Sequence, residues 1–182
     1  MLFTAAASVA LLFLAHWAHA QEVDAKAAKT RADIDKEATD TLEEFRELAG
    51  AQALFDKAAG YAVFRVTKGG LGASGAGGGG VAVDKATGKR TYMRMGSAGV
   101  GLTFGVSRYN VVILFETKDK FDAFVRGGWD SAATAQAAAG TSGAQVSSTF
   151  FDGVAYFQLG RRGLMASADV SGTRFWMAEE LN

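Results

Sequence analysis

The chain has 182 residues, with Lys+Arg and Asp+Glu both at 19, and it holds 23 Gly, no Pro and no Cys. Both histidines, His16 and His19, fall within the first 20 residues. Beyond that segment a Ser-His-Asp triad, a Cys-His pair, a His general base and a His/Cys zinc site are all excluded. Formal neutrality supplies no global field for nucleic acid or anionic lipid, so any such attraction falls to local patches, and a binding module becomes the default over an enzyme.

Residues Leu2 to Ala18 are almost wholly apolar, with Val9 to Leu14 as their centre, and they close on Ala18-His19-Ala20 before Gln21-Glu22. An apolar run this short, ending in a small-x-small triplet, predicts a secretory signal peptide over 1–20 instead of a membrane span. The remainder, 21–182, is one domain's worth of chain, helical over 23–59 and β-rich over 61–182. Periplasmic localisation is the expectation. The lack of Cys excludes a lipid-anchored lipoprotein and leaves stability to an ordinary core.

From Val23 to Leu48, the apolar residues Ile34, Ala38, Leu42, Phe45 and Ala49 repeat at helical steps, with charged residues on the other faces. Gly50 is a stop, and Ala51 to Ala59 predict a second helix bearing Leu54 and Phe55. The period changes at Tyr61. Tyr61 to Val66 reads as a strand, Gly69 to Gly80 is a glycine run, and Val81 to Val83 is extended again. Asp84 to Lys89 predicts a hairpin turn into Arg90 to Met95, and a second glycine-spaced run, Gly96 to Gly105, precedes Tyr109 to Phe115. Val111 to Phe115 is apolar on both faces, as a central strand requires. Thr117 caps a helix over Lys118 to Arg126 with Phe121, Phe124 and Val125 inward, and Trp129 to Ala139 is Ala-rich and helical or loop-like. The tail from Gln145 to Met177 predicts three strands, punctuated by Gly160-Arg161-Arg162-Gly163 and Ser171-Gly172. The fold class is therefore α+β: an N-terminal amphipathic helix packed on a mainly antiparallel, strongly curved, barrel-like glycine-rich sheet with one inserted helix.

Two glycine motifs fail on mechanism. Gly70-x-Gly72-x-x-Gly75 matches a dinucleotide fingerprint, but that site needs a helix to begin there, and four glycines and Val-Ala-Val follow instead. Gly88-Lys89-Arg90-Thr91 resembles the end of a phosphate-binding loop, with Arg90 standing where Ser or Thr is required. The glycines are better explained sterically, as bends or as places where another backbone or a ligand approaches closely. Local cations are Lys85, Lys89, Arg90 and Arg94, then the turn pair Arg161-Arg162, and a guanidinium fork suits phosphate. Asp152, Glu116 and Asp169 lie beside apolar runs without forming a carboxylate pair, so no enzyme is expected. A membrane barrel needs about eight strands, for which the two helical stretches leave too little chain.

Several of these pieces, in this order, resemble the SYLF domain family over about Leu42 to Leu181. They are Ala58-Ala59-Gly60-Tyr61-Ala62-Val63-Phe64, Lys68 to Gly75, Gly80 to Val83, Gly99 to Gly105, Val111 to Phe115, Phe121-Asp122-Ala123-Phe124 with Gly127-Gly128-Trp129, and Tyr156 to Ala168. The family's common prolines are absent here. The resemblance implies a non-catalytic phospholipid-binding module, found in bacterial secreted proteins and, in eukaryotes, beside SH3 domains in membrane and actin remodelling. In a bacterial envelope the expected partners are anionic phospholipid headgroups such as phosphatidylglycerol or cardiolipin, with no nucleic acid, cofactor or metal. The expected lipid contacts are Lys68, Arg90, Arg161 and Arg162 with the bare backbone of Gly70 and Gly72. The alternative is a structural or protein-interaction module of the periplasm without lipid dependence, and a carrier with an internal lipid cavity is a further reading.

Overall fold

A computed structural model describes residues 3–127, 149–160, 163–164 and 173–182, with 3–20, 70–74, 98–105 and 163–164 described as backbone. Helix α1 (Phe3–Arg46) leads into α2 (Ala51–Lys57), then strands β1 (Gly60–Asp84) and β2 (Arg90–Phe115), helix α3 (Lys118–Gly127), and strands β3 (Val154–Gly160), β4 (Gly163–Leu164) and β5 (Thr173–Met177) before a 3-10 turn at Glu179–Leu181. The three expected tail strands recur in this order, and the punctuations at Arg161-Arg162 and Ser171-Gly172 lie outside the described residues. Residues 128–148, with the Ala-rich stretch, lie outside the described residues, as do Arg161 and Arg162.

The sheet is antiparallel throughout. β2 is central, paired with β1 over its length, with β3 at Asn110–Phe115 and with β5 at Met93–Ser97. Alternation along each strand splits the core into two layers. Val63, Val112, Leu114, Ala155 and Phe157 face α1 and α2, where Leu42, Phe45, Leu54 and Phe55 pack on them. Phe64, Ile113, Phe115 and Tyr156 face α3, where Phe121 and Phe124 join them with Phe175. The Phe64–Phe175 and Phe115–Phe124 rings lie 4.8 and 4.9 Å apart, and such pairs add about 0.5–1.5 kcal/mol each beyond area burial. Period two therefore yields helix, sheet, helix in three layers.

Three expectations need correction. The glycine-rich runs are not links between shorter strands: they are strand themselves, paired from Gly60↔Phe115 to Val83↔Arg90 with one register shift between Leu71 and Ala73. α1 stops at Arg46, so Ala49 is exposed and Leu48 packs on the core in its place. Gly50 supplies the break, with a left-handed φ of 84°. The sheet, although bent, is not closed into a barrel. Among the described residues no ladder joins β1, β4 or β5 to one another, because β2 spends its second edge on β3 and β5, and β4 is two residues long.

The bend is real, and glycine permits it. The Lys85 amide donates to the Ala59 carbonyl at 3.1 Å, so the hairpin turn returns to the start of its own first strand. A β-carbon on Gly78 would overlap the Arg65 carbonyl oxygen, and one on Gly80 would overlap the Val63 carbonyl oxygen and the Phe64 ring. β1 thus doubles back until its second half lies on its first. The turn itself is held by Asp84, whose Oδ1 accepts the Ala86 and Thr87 amides at 2.8 and 3.2 Å.

Candidate functional site

The doubling-back leaves an elongated cleft of about 330 Å³ between α1 and the glycine strand. Its floor is the bare backbone of Gly77 to Gly80, because any larger residue at 78 or 80 would strike the strand beneath. One wall is α1, which presents Asp33 and Ile34 and, one helical turn on, Glu37. The other wall is set by strand alternation. Residues 61, 63, 65 and 67 share the face toward α1, which puts Arg65 into the cleft beyond Val63, and Arg94 enters from β2.

Charges in the cleft are arranged in pairs. Arg65 Nη1 lies 3.6 Å from Glu37 Oε2, and both side chains remain substantially exposed. Glu37 also accepts from Asn110 Nδ2 at 3.1 Å, and Asn110 donates to the buried Thr41 hydroxyl at 2.8 Å. Arg94 pairs with Glu180, whose carboxyl it holds below the usual carboxylate range through that hydrogen bond. Asp35 accepts from Arg90 Nη1 at 2.5 Å and from the Tyr92 hydroxyl at 2.9 Å. Burial, followed by that bond to Asp35, raises the Tyr92 phenol. The contacts of Asp35 and Glu37 tie α1 to the sheet by polar groups in addition to its apolar stripe.

A second hollow of about 310 Å³ continues past Glu37, between Arg65, Arg108 and Gly160. Arg108 pairs in register with Thr67, so it shares the α1 face with Arg65, and it has no ion-pair partner among the described residues. Of the expected site residues, Lys68, Gly70 and Gly72 share one stretch of β1 and Arg90 lies apart from them, while Arg161 and Arg162 lie outside the described residues. Arg90 stands at the turn end of β2, committed to Asp35. Lys68 is half-buried on β1 opposite Ser107, about 26 Å along the strand from its start. Gly70 pairs with Gly105, and Gly72 sits at the register shift. Sequence reasoning passed over Arg65 and Arg108. The signal for them lay in alternation: Tyr61, Val63 and Arg65 occupy one face, and a cation ending an apolar face marks where cover stops.

Among the described residues no His/Cys/Asp/Glu cluster is arranged to hold a metal, and no helix is long and apolar enough to cross a membrane. The arrangement offers guanidinium groups, carboxylates and bare backbone at an open cleft, which suits recognition of a polar or amphipathic ligand.

A family model described as Ysc84, Las17-binding protein actin regulator, matches residues 96–182. Beta cell expansion factor A of Aeromonas veronii is 42% identical over 137 residues, covering 75% of this chain and 52% of that protein. The chain thus spans about half the length of that curated relative. Neither similarity indicates a catalytic family.

Proposed function

Since the chain belongs to the SYLF family, we propose that it is a non-catalytic protein that binds phospholipid at a membrane surface of the bacterial envelope. Residues 1–20 direct it to the periplasm. The observation that carries this reading is the α1 face of the sheet, where Arg65, Arg94 and Arg108 edge a cleft with a glycine floor. Guanidinium forks match phosphate oxygens, and bare backbone lets a headgroup lie close to the strand. Flotation with phosphatidylcholine vesicles, with and without phosphatidylglycerol, tests it. Recovery is expected to rise with phosphatidylglycerol and to fall in high salt. Absence of flotation with either vesicle would refute membrane binding, and equal recovery would remove its electrostatic part. Mass spectrometry of the native protein separates surface docking from internal cargo, because only cargo co-purifies as a stoichiometric lipid.

The match to a family of Las17-binding actin regulators favours a second reading, a protein-interaction module. Lipid-independent capture of one envelope protein, with no flotation, would establish that reading in its place.

A further inference from the structure

Between Lys68 and Asp84 on β1, and between Arg94 and Arg108 on β2, no residue carries a charge. These are the segments that pair with each other across the bend. Strand alternation sorts them unequally. One face of β2 reads Arg94, Gly96, Ala98, Val100, then Phe104, Val106 and Arg108, and register adds Leu71 opposite Phe104 and Ala73 opposite Val100. The other face holds Gly70, Ser74, Ala76, Ser97, Gly99, Gly105 and Ser107, all small or polar. The shift between Leu71 and Ala73 takes two extra residues of β2, so the faces stay in phase across it. The ribbon is therefore amphipathic with a period of two, and its apolar face is bracketed by an arginine at each end.

The surroundings of this face do not bury it where they are described. Val106 is 74% exposed, the largest exposure among the large apolar residues described. Gly75 and Gly77 are exposed too. At the Arg94 end Trp176, 43% exposed, lies with its ring over Gly96. An apolar strip flanked by Arg and an exposed Trp is the pattern of a membrane interface, where the ring sits at headgroup level and the cations meet phosphates.

We propose that this ribbon is the membrane-embedding element: residues 69–76 and 97–107 enter the acyl boundary of a phospholipid bilayer by the Leu71, Ala73, Val100, Phe104 and Val106 face, with Arg94, Arg108 and Trp176 at headgroup depth. This rests on the membrane-binding reading above and gives it a depth and an orientation. Pairing between β1 and β2 satisfies the inner backbone groups of the ribbon, and its two open edges hold it at the headgroup–acyl boundary, where water and headgroups can pair the outer groups.

The test uses the full chain, which has no cysteine of its own. Single variants Val106→Cys and Thr87→Cys, the latter on the exposed turn at the far end of the ribbon, are labelled with an environment-sensitive fluorophore. They are mixed with phosphatidylcholine–phosphatidylglycerol vesicles. A blue shift and protection from an aqueous quencher are expected at 106 and not at 87. Val106→Asp is expected to lower vesicle partitioning roughly tenfold with an unchanged circular dichroism spectrum and melting temperature, because the site is exposed and carries no core packing. Flotation of the unmodified chain without a signal at 106, or with Val106→Asp binding as well as wild type, overturns the ribbon and leaves membrane binding standing. A label at 106 already shielded without vesicles shows that the chain covers this face itself, and also overturns it. Failure of the unmodified chain to float refutes the underlying reading.

Discussion

Replacing Gly77, Gly78, Gly79 and Gly80 by alanine, one at a time, is expected to give an alternating pattern of stability. None of the four has a positive φ, so backbone strain is common to none, and only space decides. At Gly77 the nearest atom to an added β-carbon is the Met95 carbonyl oxygen at 3.9 Å, and at Gly79 it is Ile34 Cδ1 at 3.5 Å; both are ordinary contacts. Alanine there is expected to be neutral or to stabilise by up to about 1 kcal/mol, through the smaller entropy of the unfolded chain. At Gly78 and Gly80 the obstacle is the backbone of Arg65 and Val63, which cannot rotate aside. Forced overpacking costs about 1–3 kcal/mol or more, and for a domain of this size each kcal/mol moves the melting temperature by about 2–4 °C. Differential scanning calorimetry should therefore place Gly78→Ala and Gly80→Ala roughly 2–12 °C below wild type, with Gly77→Ala and Gly79→Ala at wild type or above it. Equal losses at all four positions, or a larger loss at 77 than at 78, would refute the doubling-back of β1 and with it the floor of the cleft.

Phe45→Ala removes a fully buried ring 5.0 Å from Phe157 between α1 and the sheet; urea unfolding should show a loss of about 3–5 kcal/mol, and a loss under about 1 kcal/mol would mean that α1 does not pack there. Asp84 is opposed by burial, but hydrogen bonds from Thr87 and Ala86 and the neighbouring Lys118 outweigh it and lower its pKa. A lowered folded pKa stabilises the fold above the ordinary carboxylate value, and that stability is lost as pH falls through the lowered one. Asp84→Asn should consequently lower the melting temperature near neutral pH and flatten its decline in acid, whereas an unchanged acid limb would exclude Asp84 as a contributor.

Much of the architecture was legible in the residues themselves. The helical stripe from Ile34 to Phe45, the inward Phe121 and Phe124, the Asp84–Lys89 turn and the two-sided apolar run at Val111–Phe115 are local patterns, and local patterns record which faces leave water. The end of α1 was less legible. Ala49 continues the stripe, yet Gly50 in a left-handed conformation breaks the helix early enough to expose it. Arg90 was a reasonable phosphate contact by composition, and the fold brings Asp35 to it from 55 residues away.

The sequence by itself determined the α+β class, the order of its elements, the absence of imidazole and thiol chemistry after residue 20, and the likelihood of bending that its glycines carry. Only the tertiary structure decided which glycines are sterically required, which cations are neutralised within the protein, and that the sheet does not close into a barrel among the described residues. The physical reason is range. Periodicity reports each residue's own exposure to water, while the approach of Gly78 to Arg65, or of α1 to Arg90, is set by the path of a distant segment that leaves no trace in the local pattern.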